Sequence, residues 1–391
     1  MFYMQSDIFN LFWLIIFFFM MFFYPRMLLY QLIARFSKTA ELLDNLSKRG
    51  KEKIVSKIKN DKKEVREKIN NFLEFFVISP VSLDPFGIVK KFEHLLNLEE
   101  NRFKYFVDRI AKDLNEEEKW NLISALSAEM TIHQLSKTVK HYIKLIEKTK
   151  SYQLGLILQM QLPLVEKFSK SLYKATEALI DGIPIGDSVG PLLAASFMKN
   201  EAKEIDNMVY SIEKFNGKTL IVMKAKGPGA RIGKIGRAVE KIVKKYKVEK
   251  IITVDASLKL ESERTGEIAE GIGVAIGGIG VEKAIIEEIA TKKKIPLDSY
   301  IIKMSQEEAL LPMKEEILDA AFEVKKRIEE NLKESKEKVI LLVGVGNTSG
   351  IPNSNRLEEV TEKIKENSKK IKEWEEEEKR KEEKSWFSFG I

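Results

Sequence analysis

An uninterrupted apolar run lies near the start of the sequence. Residues Ile8–Tyr24 carry no charge and are rich in phenylalanine. A helix rises 1.5 Å per residue, so the run covers roughly 25 Å, and its continuation to Leu29 makes it long enough to cross the hydrocarbon core of a bilayer. A cleavable signal peptide fits less well, because Asp7 precedes the run and no basic segment or small-residue cleavage site flanks it. The pattern predicts a single membrane-spanning helix within residues 1–30.

Polar and apolar positions in residues 31–175 follow a helical period. Apolar residues recur three, four or seven positions apart between faces rich in lysine and glutamate, as at Ile54, Ile58 and Ile69. A stretch with two prolines at residues 79–87 separates two groups of such helices. We therefore expect a helical region that begins with a basic juxtamembrane segment.

From residue 176 the pattern changes to short β-branched runs that alternate with helical segments. The predicted strands are residues 219–225, 250–256, 299–304 and 338–346, and the predicted helices between them are residues 233–246, 281–293 and 307–333. This alternation indicates βαβ units around a buried parallel sheet, so we predict an α/β fold for residues 176–352. Glycine clusters fall where the strands end, and ligands bind there in open α/β sheets.

Charged residues dominate the last predicted region, residues 353–391. Its composition is typical of a solvated helix or a disordered tail. Trp386, Phe387 and Phe389 near its end are candidates for contact with a membrane or a partner.

The net charge of +7 is concentrated next to the apolar run. Residues 26–68 contain 13 Lys or Arg and 6 Asp or Glu, which accounts for the whole excess. The positive-inside rule then predicts a single-pass protein of the cell membrane, with its N-terminus outside and its C-terminal bulk in the cytoplasm. Residues 8–29 are expected to contact membrane lipid, and the basic residues of 26–68 its anionic headgroups. We expect no nucleic-acid partner, and the sequence does not indicate an oligomeric state.

The residue inventory narrows the chemistry that the chain can perform. There is no cysteine and there are three histidines, which excludes disulfides, zinc–thiolate sites, iron–sulfur clusters and a thiol nucleophile, and leaves no basis for a compact multi-histidine metal site. A serine–histidine triad has no local support, because no histidine lies in residues 176–352. Carboxylates, hydroxyls, amides and basic side chains remain.

Two aspartates are the best catalytic candidates. Asp187 lies in IPIGDSVGP before a predicted helix, and Asp255 ends the predicted strand KIITVDA at the carboxyl edge of the sheet. If their loops meet, like charges at close range raise one pKa and create a general acid–base pair, or the two carboxylates hold a divalent cation. The alternative is structural, with Asp187 as a helix N-cap and Asp255 as a turn residue. Glu261, Glu263 and Glu267 either add carboxylates to this cleft or form an exposed acidic loop.

The glycine-rich segment KGPGARIGKIG, residues 226–236, is a candidate ligand-binding loop. Backbone amides at Gly227, Gly229 and Gly233, with Arg231 beside them, are suited to an anion or phosphate in front of the next helix. The segment is not a Walker A motif, because it lacks Gly-Lys-Ser/Thr. An ordinary connection between a strand and a helix is the alternative.

The two aspartate segments resemble known proteases. GDSVGP, followed far downstream by ITVDAS, is similar to the T-P-D-A-L-G-P and V-D-A-L segments of the germination proteases of spore-forming bacteria, whose fold hydrogenase maturation endopeptidases share. The resemblance implies a phosphorylase/hydrolase-like three-layer domain in which Asp187 and Asp255 occupy the catalytic or metal-binding positions. Those families open with a strand ending in G-[IL]-G-N before the first acidic loop, whereas this chain has VILLVGVGNTSG at residues 339–350. A circular permutation would explain that order, with Gly344, Gly346 and Asn347 lining the same cleft.

The whole chain is more similar to an uncharacterised archaeal membrane-anchored family, domain of unknown function 1512. The shared segments are DGIPIGDSVGP, KGPGARIG, VDASLKLE, GEIAEG and VGVGNT. This resemblance spans nearly the full length and implies no activity.

Two functional hypotheses follow. The first is a membrane-anchored cytoplasmic hydrolase, peptidase-like, that uses Asp187 and Asp255 as an acid–base pair or as ligands of a divalent cation. The second is a non-enzymatic membrane-tethered sensor or scaffold, whose glycine loops bind an anion or nucleotide. Removal of both carboxylates distinguishes the two, because it abolishes turnover only in the first.

Overall fold

The computed structural model describes the chain in four stretches and divides it into two compact units. The described backbone covers residues 2–59, 61–76, 87–274 and 280–388, with side chains from residue 11 to residue 381 within those stretches. One unit consists of residues 1–49 and 130–170, and the other of residues 50–129 and 171–391.

The first unit is helical. It contains the greater part of α1 (Phe2–Lys57), the second half of α4 (Glu116–Thr149), α5 (Tyr152–Gln159) and the start of α6 (Leu162–Ile180). Buried apolar side chains of α1 and α4 form its core together with Leu162. Asp44 of α1 accepts hydrogen bonds from Ser136 Oγ at 2.5 Å and Lys140 Nζ at 2.7 Å, both from α4. The helical period predicted for this region is therefore confirmed.

The N-terminal part of α1 is long and apolar enough to cross a membrane, and none of that stretch is buried within the molecule. The apolar side chains between Leu11 and Tyr24 are about half exposed. Pro25 lies inside the helix without ending it, and α1 continues to Lys57. From Leu29 onward the same helix carries buried residues such as Phe36 and Leu43. A single helix thus passes from an unpacked apolar half to a packed half, which is compatible with single-pass membrane anchoring.

A seven-stranded mixed sheet forms the centre of the second unit, with strand order β1-β2-β3-β7-β4-β6-β5. The strands are β1 (Lys203–Ile205), β2 (Met208–Phe215), β3 (Lys218–Ala225), β4 (Lys250–Leu258), β5 (Ile268–Ile272), β6 (Leu297–Met304) and β7 (Val339–Gly344). The helices that accompany them are α2 (Lys62–Phe72), α3 (Ile88–Ile110), α7 (Val189–Phe197), α8 (Ile235–Lys245), α9 (Val281–Lys293), α10 (Gln306–Leu310), α11 (Glu315–Glu334) and α12 (Glu358–Ser388).

The second unit differs from the prediction in two respects, one in the sheet and one in a helix. The four predicted strands do form the parallel centre, β3-β7-β4-β6. β1 and β2 add an antiparallel edge that we did not predict, and β5 adds a second one where EGIGVAIGGIG, interpreted as a glycine-rich strand or turn, begins. The predicted helix at residues 307–333 is two helices, because the chain turns at Pro312, whose neighbour in an isolated β-bridge is Ile185. The glycine-rich segment at residues 270–280 begins in β5, and residues 275–279 lie outside the described part of the chain.

Helices cover both faces of the sheet. Residues of α8 and α9 share one core with β-strand residues such as Ile221 and Leu341, whereas α7, α11 and the start of α12 share the other core with Val222 and Leu342. The chain therefore leaves β3 toward one face and its neighbour β7 toward the other. A crevice opens at such a switch point, outside the carboxyl ends of the strands.

The charged C-terminal region is helical but not fully solvated. Ile364 and Ile371 of α12 are buried, and Ser368 Oγ accepts a hydrogen bond from the backbone N–H of Glu315 at 2.9 Å. The prediction of a solvated helix was thus wrong for this face, since the charged residues on the other faces masked a narrow apolar stripe. The side chains of Trp386, Phe387 and Phe389 lie outside the described residues.

Candidate functional site

A cavity of about 530 Å³ lies at the switch point of the sheet, and both candidate aspartates line it. Its walls come from the loops after β3 and β7, from β4, from the first turn of α9, from α3 and from the turn that carries Asp187. Charged side chains on these walls are Glu93, Asp187, Lys234, Asp255 and Glu282. Four carboxylates against one ammonium make the cavity acidic.

Asp187 sits in a short 3-10 turn, Gly186–Ser188, directly before α7. The turn is clamped by the segment after α10, because the N–H of Gly186 donates to the carbonyl of Leu311 at 2.9 Å and the N–H of Met313 donates to that of Pro184 at 2.9 Å. On the other side, the N–H of Asn347 donates to Oδ2 of Asp187 at 2.8 Å. The carboxylate is therefore held in one orientation toward the cavity.

Gly346, next to Asn347, is placed against the backbone of the same turn. Its φ is +129°, and a Cβ at this position would lie 2.0 Å from the carbonyl oxygen of Asp187. A side chain is excluded both by that contact and by the backbone conformation. The glycine thus allows the loop after β7 to approach Asp187 closely enough for the amide contact.

The pKa of Asp187 is raised above its ordinary value. Burial of the carboxyl group is the main cause, and the hydrogen bond from Asn347 opposes it by stabilising the charged form. Repulsion by Asp255, which we expected from two like charges, is not among the causes. Desolvation alone therefore favours the protonated form of Asp187.

Asp255 is almost completely buried, at 4% exposure. It does not end its strand as predicted, because β4 continues to Leu258 beside β6. The pairing of β4 with β7 ends one residue earlier, at Val254 opposite Gly344, so Asp255 comes directly after the last residue that β7 covers. Its Oδ1 accepts the N–H of Ala256 at 2.7 Å.

Glu282 and Glu93 are cavity residues that we did not predict. Glu282 Oε2 accepts the backbone N–H of Gly236 in the first turn of α8. Burial raises the pKa of Glu282, and the charge of Glu93 adds to that effect. Glu93 in turn pairs with Arg237 at 2.6 Å. The position of Glu282 in the first turn of a helix was readable from sequence, whereas the approach of α3, which carries Glu93, was not.

Two family models match the chain, one over residues 10–182 and one over residues 185–352. They describe the N-terminal domain and the C-terminal domain of a protein of unknown function, DUF1512. The chain belongs to the DUF1512 family. No curated protein matches its sequence. The boundary between the two DUF1512 domains falls just before the turn that carries Asp187.

The predicted anion-binding loop of this DUF1512 protein is engaged within the protein itself. The N–H of Gly227 donates to Asn353 Oδ1 at 2.9 Å, that of Ala230 to Asn121 Oδ1 at 2.8 Å, and that of Arg231 to Thr348 Oγ1 at 3.2 Å. Four residues of this loop were predicted to bind a ligand: Gly227, Gly229, Arg231 and Gly233. Gly233 lines the acidic cavity, whereas Gly227 and Gly229 line none of the described cavities.

The side chain of Arg231 makes contacts within the protein. Its side chain is 4% exposed, its Nη1 donates to the carbonyl of Lys226 at 3.0 Å, and its guanidinium lies 5.0 Å from the centre of the Trp120 ring. It lines an adjoining cavity of about 340 Å³ with Trp120 and Phe103. The acidic cavity and this DUF1512 loop therefore meet at Gly233 and Lys234 and not at Arg231.

Gly344, the last residue of β7, has different surroundings from Gly346 and Asn347 in the loop that follows. Gly346 lines the cavity, Asn347 contacts Asp187 through its backbone, and Gly344 lies against α7 instead, where a Cβ would be 2.3 Å from the carbonyl oxygen of Gly190. The side chain of Asn347 accepts the N–H of Ser349 at 2.8 Å and so shapes the loop.

The acidic residues after β4 do not join the cavity. Glu263 forms an ion pair with Lys303, Glu267 accepts the N–H of Arg264 at 3.2 Å, and Glu261 is exposed. Within the described ranges, no group of three or more Asp, Glu or His side chains is arranged to hold a metal ion. The carboxyl groups that line the cavity are therefore those of Glu93, Asp187, Asp255 and Glu282.

Proposed function

We propose that this DUF1512 protein is a peptidase-like hydrolase whose acidic cavity is the active site. The observation that carries the proposal is the meeting of Asp187 and Asp255 in one cavity at the switch point of the sheet. Burial raises the pKa of Asp187, which suits this carboxyl group to the role of the acid in such a pair.

The two carboxyl groups take different roles in this proposal. Asp187, protonated, donates a hydrogen bond to the carbonyl oxygen of the scissile bond and polarises it. Asp255, ionised, accepts a proton from the attacking water and passes it to the amine nitrogen as the C–N bond breaks. In the metal-dependent version, the same two side chains hold a divalent cation through their oxygens. Inhibition by a chelator, reversed by the cation, separates the two versions.

The wider architecture supports a hydrolase-like fold for residues 176–352. Helices on both faces of a sheet with a parallel centre fit a three-layer phosphorylase/hydrolase-like domain. The contact of Asn347 with Asp187 fits a circular permutation. β7, which leads into VGVGN, is the last strand in the sequence, yet the loop after it contacts the turn that carries Asp187, the first of the two aspartates. We also propose that α1 anchors this domain in the membrane, with the domain on the cytoplasmic side because residues 26–68 are basic.

The competing anion sensor receives less support. Of the three amides predicted for that site, the N–H of Gly227 already donates to Asn353, and the neighbouring amides of Ala230 and Arg231 donate to other side chains of the protein. The first turn of α8, where an anion would sit, is occupied by the carboxylate of Glu282. An acidic cavity also repels an anionic ligand.

A peptide-library digest tests the proposal. The full chain, purified in detergent, is incubated with a random-sequence peptide library, and new termini are identified by mass spectrometry. We expect cleavage by the natural protein and by Asp319→Asn, whose aspartate is exposed on α11. The double variant Asp187→Asn/Asp255→Asn is expected to lose it by about 10²-fold or more. Equal cleavage by the double variant would contradict the assignment.

A further inference from the structure

We infer that residues 152–165 form a second membrane contact, which lies in the headgroup region of the bilayer that α1 crosses. The inference rests on the membrane anchoring proposed above and is independent of the hydrolase. These 14 residues, YQLGLILQMQLPLV, contain no charge, although the chain is 32% charged overall. They form α5, the turn after it and the first turn of α6. Uncharged segments of this length are too short to span a bilayer and are typical of core or interfacial helices.

A core role accounts for only one face of the segment. Leu154, Leu158 and Leu162 pack on the buried cluster of the first unit. On the opposite side, four apolar side chains are exposed: Leu156 by 40%, Ile157 by 65%, Met160 by 76% and Leu164 by 60%. Exposed apolar residues gathered in one short segment mark an interaction surface.

Residues 152–165 pack against α1 close to the apolar run of that helix. Gly155 lies directly against Leu32, since a Cβ at Gly155 would be 2.9 Å from Leu32 Cδ1. Leu32 comes eight residues after Tyr24, which corresponds to about 12 Å along the helix. Residues 152–165 therefore contact α1 about two helical turns after its apolar run.

The intervening part of α1 is itself apolar and exposed. Arg26 is the one charged residue between Tyr24 and Leu32, and Met27 and Tyr30 are 49% and 71% exposed. The hydrocarbon core measures about 30 Å and the headgroup regions extend it to about 40–45 Å, so this level of α1 lies within the interface. A single arginine reaches the headgroups by extending its side chain. Met27 and Tyr30 of α1 and the exposed side chains of residues 152–165 thus have the same apolar character.

The charged residues that flank residues 152–165 in the sequence favour contact with a lipid surface. Lys148 and Lys150 precede the segment together with Glu147, and Lys167 and Lys170 follow it together with Glu166, so lysines outnumber glutamates on both sides. Basic residues at the edge of an apolar interfacial segment are attracted to anionic headgroups. The occupant we assign to this surface is therefore the bilayer itself.

The absence of cysteine makes a direct test straightforward. Single cysteines are introduced into the full chain as Ile157→Cys, Met160→Cys and, as control, Thr138→Cys, an exposed position of α4 in the same unit. Phe18→Cys in the apolar run reports on the anchor. Each variant carries a bimane fluorophore and is reconstituted into phosphatidylcholine–phosphatidylglycerol vesicles. Quenching by lipids with brominated acyl chains is compared with quenching by aqueous iodide.

The inference predicts quenching by brominated lipid at positions 18, 157 and 160, and quenching by iodide at position 138. Labels at 157 and 160 that behave like the label at 138 would overturn it while leaving the anchor intact. Labels at 157 and 160 that neither quencher reaches would also overturn it, because a second protein then covers the surface. Loss of lipid quenching at position 18 would overturn the anchor and this inference together, without bearing on the hydrolase.

Discussion

The backbone N–H of Asn347 donates a 2.8 Å hydrogen bond to Oδ2 of Asp187, across 160 residues of sequence. This bond joins the loop after β7 to the turn before α7 and directs the carboxyl group of Asp187 toward the cavity. It also acts against burial, which raises the pKa of the same group. The strength of these two opposing effects decides how Asp187 is protonated, and several predictions depend on that balance.

Replacement of Asp187 by asparagine is expected to stabilise the protein at neutral pH. A carboxyl group whose pKa is raised by burial contributes stability below its ordinary pKa, and that stability is lost as the pH rises through the raised value. The substituted carboxamide stays neutral throughout and still accepts the N–H of Asn347. Urea unfolding of Asp187→Asn should therefore show higher stability than the natural protein at pH 7, and a difference that vanishes near pH 3. Asp319→Asn should change neither value, and a destabilised Asp187→Asn at pH 7 would refute the balance described above.

Gly346→Ala should destabilise the protein strongly. The new Cβ would lie 2.0 Å from the carbonyl oxygen of Asp187, and the φ of +129° is unfavourable for alanine. Gly217→Ala is the matched control, because Gly217 also has a positive φ, +77°, but nothing lies within 4 Å of its Cβ position. We expect a loss of more than about 3 kcal/mol at Gly346 and roughly 1 kcal/mol at Gly217, measured by urea unfolding. Equal losses would mean that the loop after β7 has room to move away from Asp187.

Glu308 belongs to α10, which packs against the turn that carries Asp187. Burial on its own would raise its pKa, but hydrogen bonds from the N–H of Ser305, from Lys314 and from Thr265, together with the charge of Lys314, lower it to about 2. The stabilisation is complete above the ordinary pKa of 4.5 and is lost as the pH falls through about 2. Glu308→Gln should cost about 3 kcal/mol at pH 7, with the difference shrinking below pH 4.

Glu330→Gln, at an exposed position on α11, is the control for that measurement. It should leave the free energy of unfolding unchanged at every pH. A Glu308→Gln variant with the same stability profile as Glu330→Gln would show that the contacts of Glu308 are balanced by its desolvation.

The sequence was sufficient for the centre of the sheet but not for its edges. The runs at 219–225 and 338–346 are continuous and β-branched, so a buried strand is the simplest interpretation. β2, in contrast, contains Ser211 and Glu213 among its apolar residues, and both are buried at the sheet. The turn Asn216-Gly217 between β2 and β3 was a signal that we overlooked, because Asn-Gly between two strands is typical of a two-residue hairpin.

The candidate site could be predicted in part, for a physical reason. Asp187 lies in a glycine-flanked turn before a helix and Asp255 lies toward the carboxyl end of a strand, and the topology of α/β sheets brings such positions to one edge. Glu93 comes from α3, whose approach depends on tertiary packing with α9 and leaves no local trace. The occupied amides of Gly227 and Arg231 were equally hidden, since their acceptors, Asn353 and Thr348, lie more than 100 residues away.

A carbon-13 NMR titration of Asp187 measures whether its pKa is raised, as the proposed mechanism requires. Full-length protein labelled at aspartate carboxyl carbons is titrated in detergent, and the signal of Asp187 is assigned by its loss in Asp187→Asn. We expect Asp187 to titrate above its ordinary pKa of 3.8. Titration of Asp187 at or below 3.8 would show that Asn347 outweighs burial, and it would remove the protonated carboxyl group on which the proposed mechanism depends.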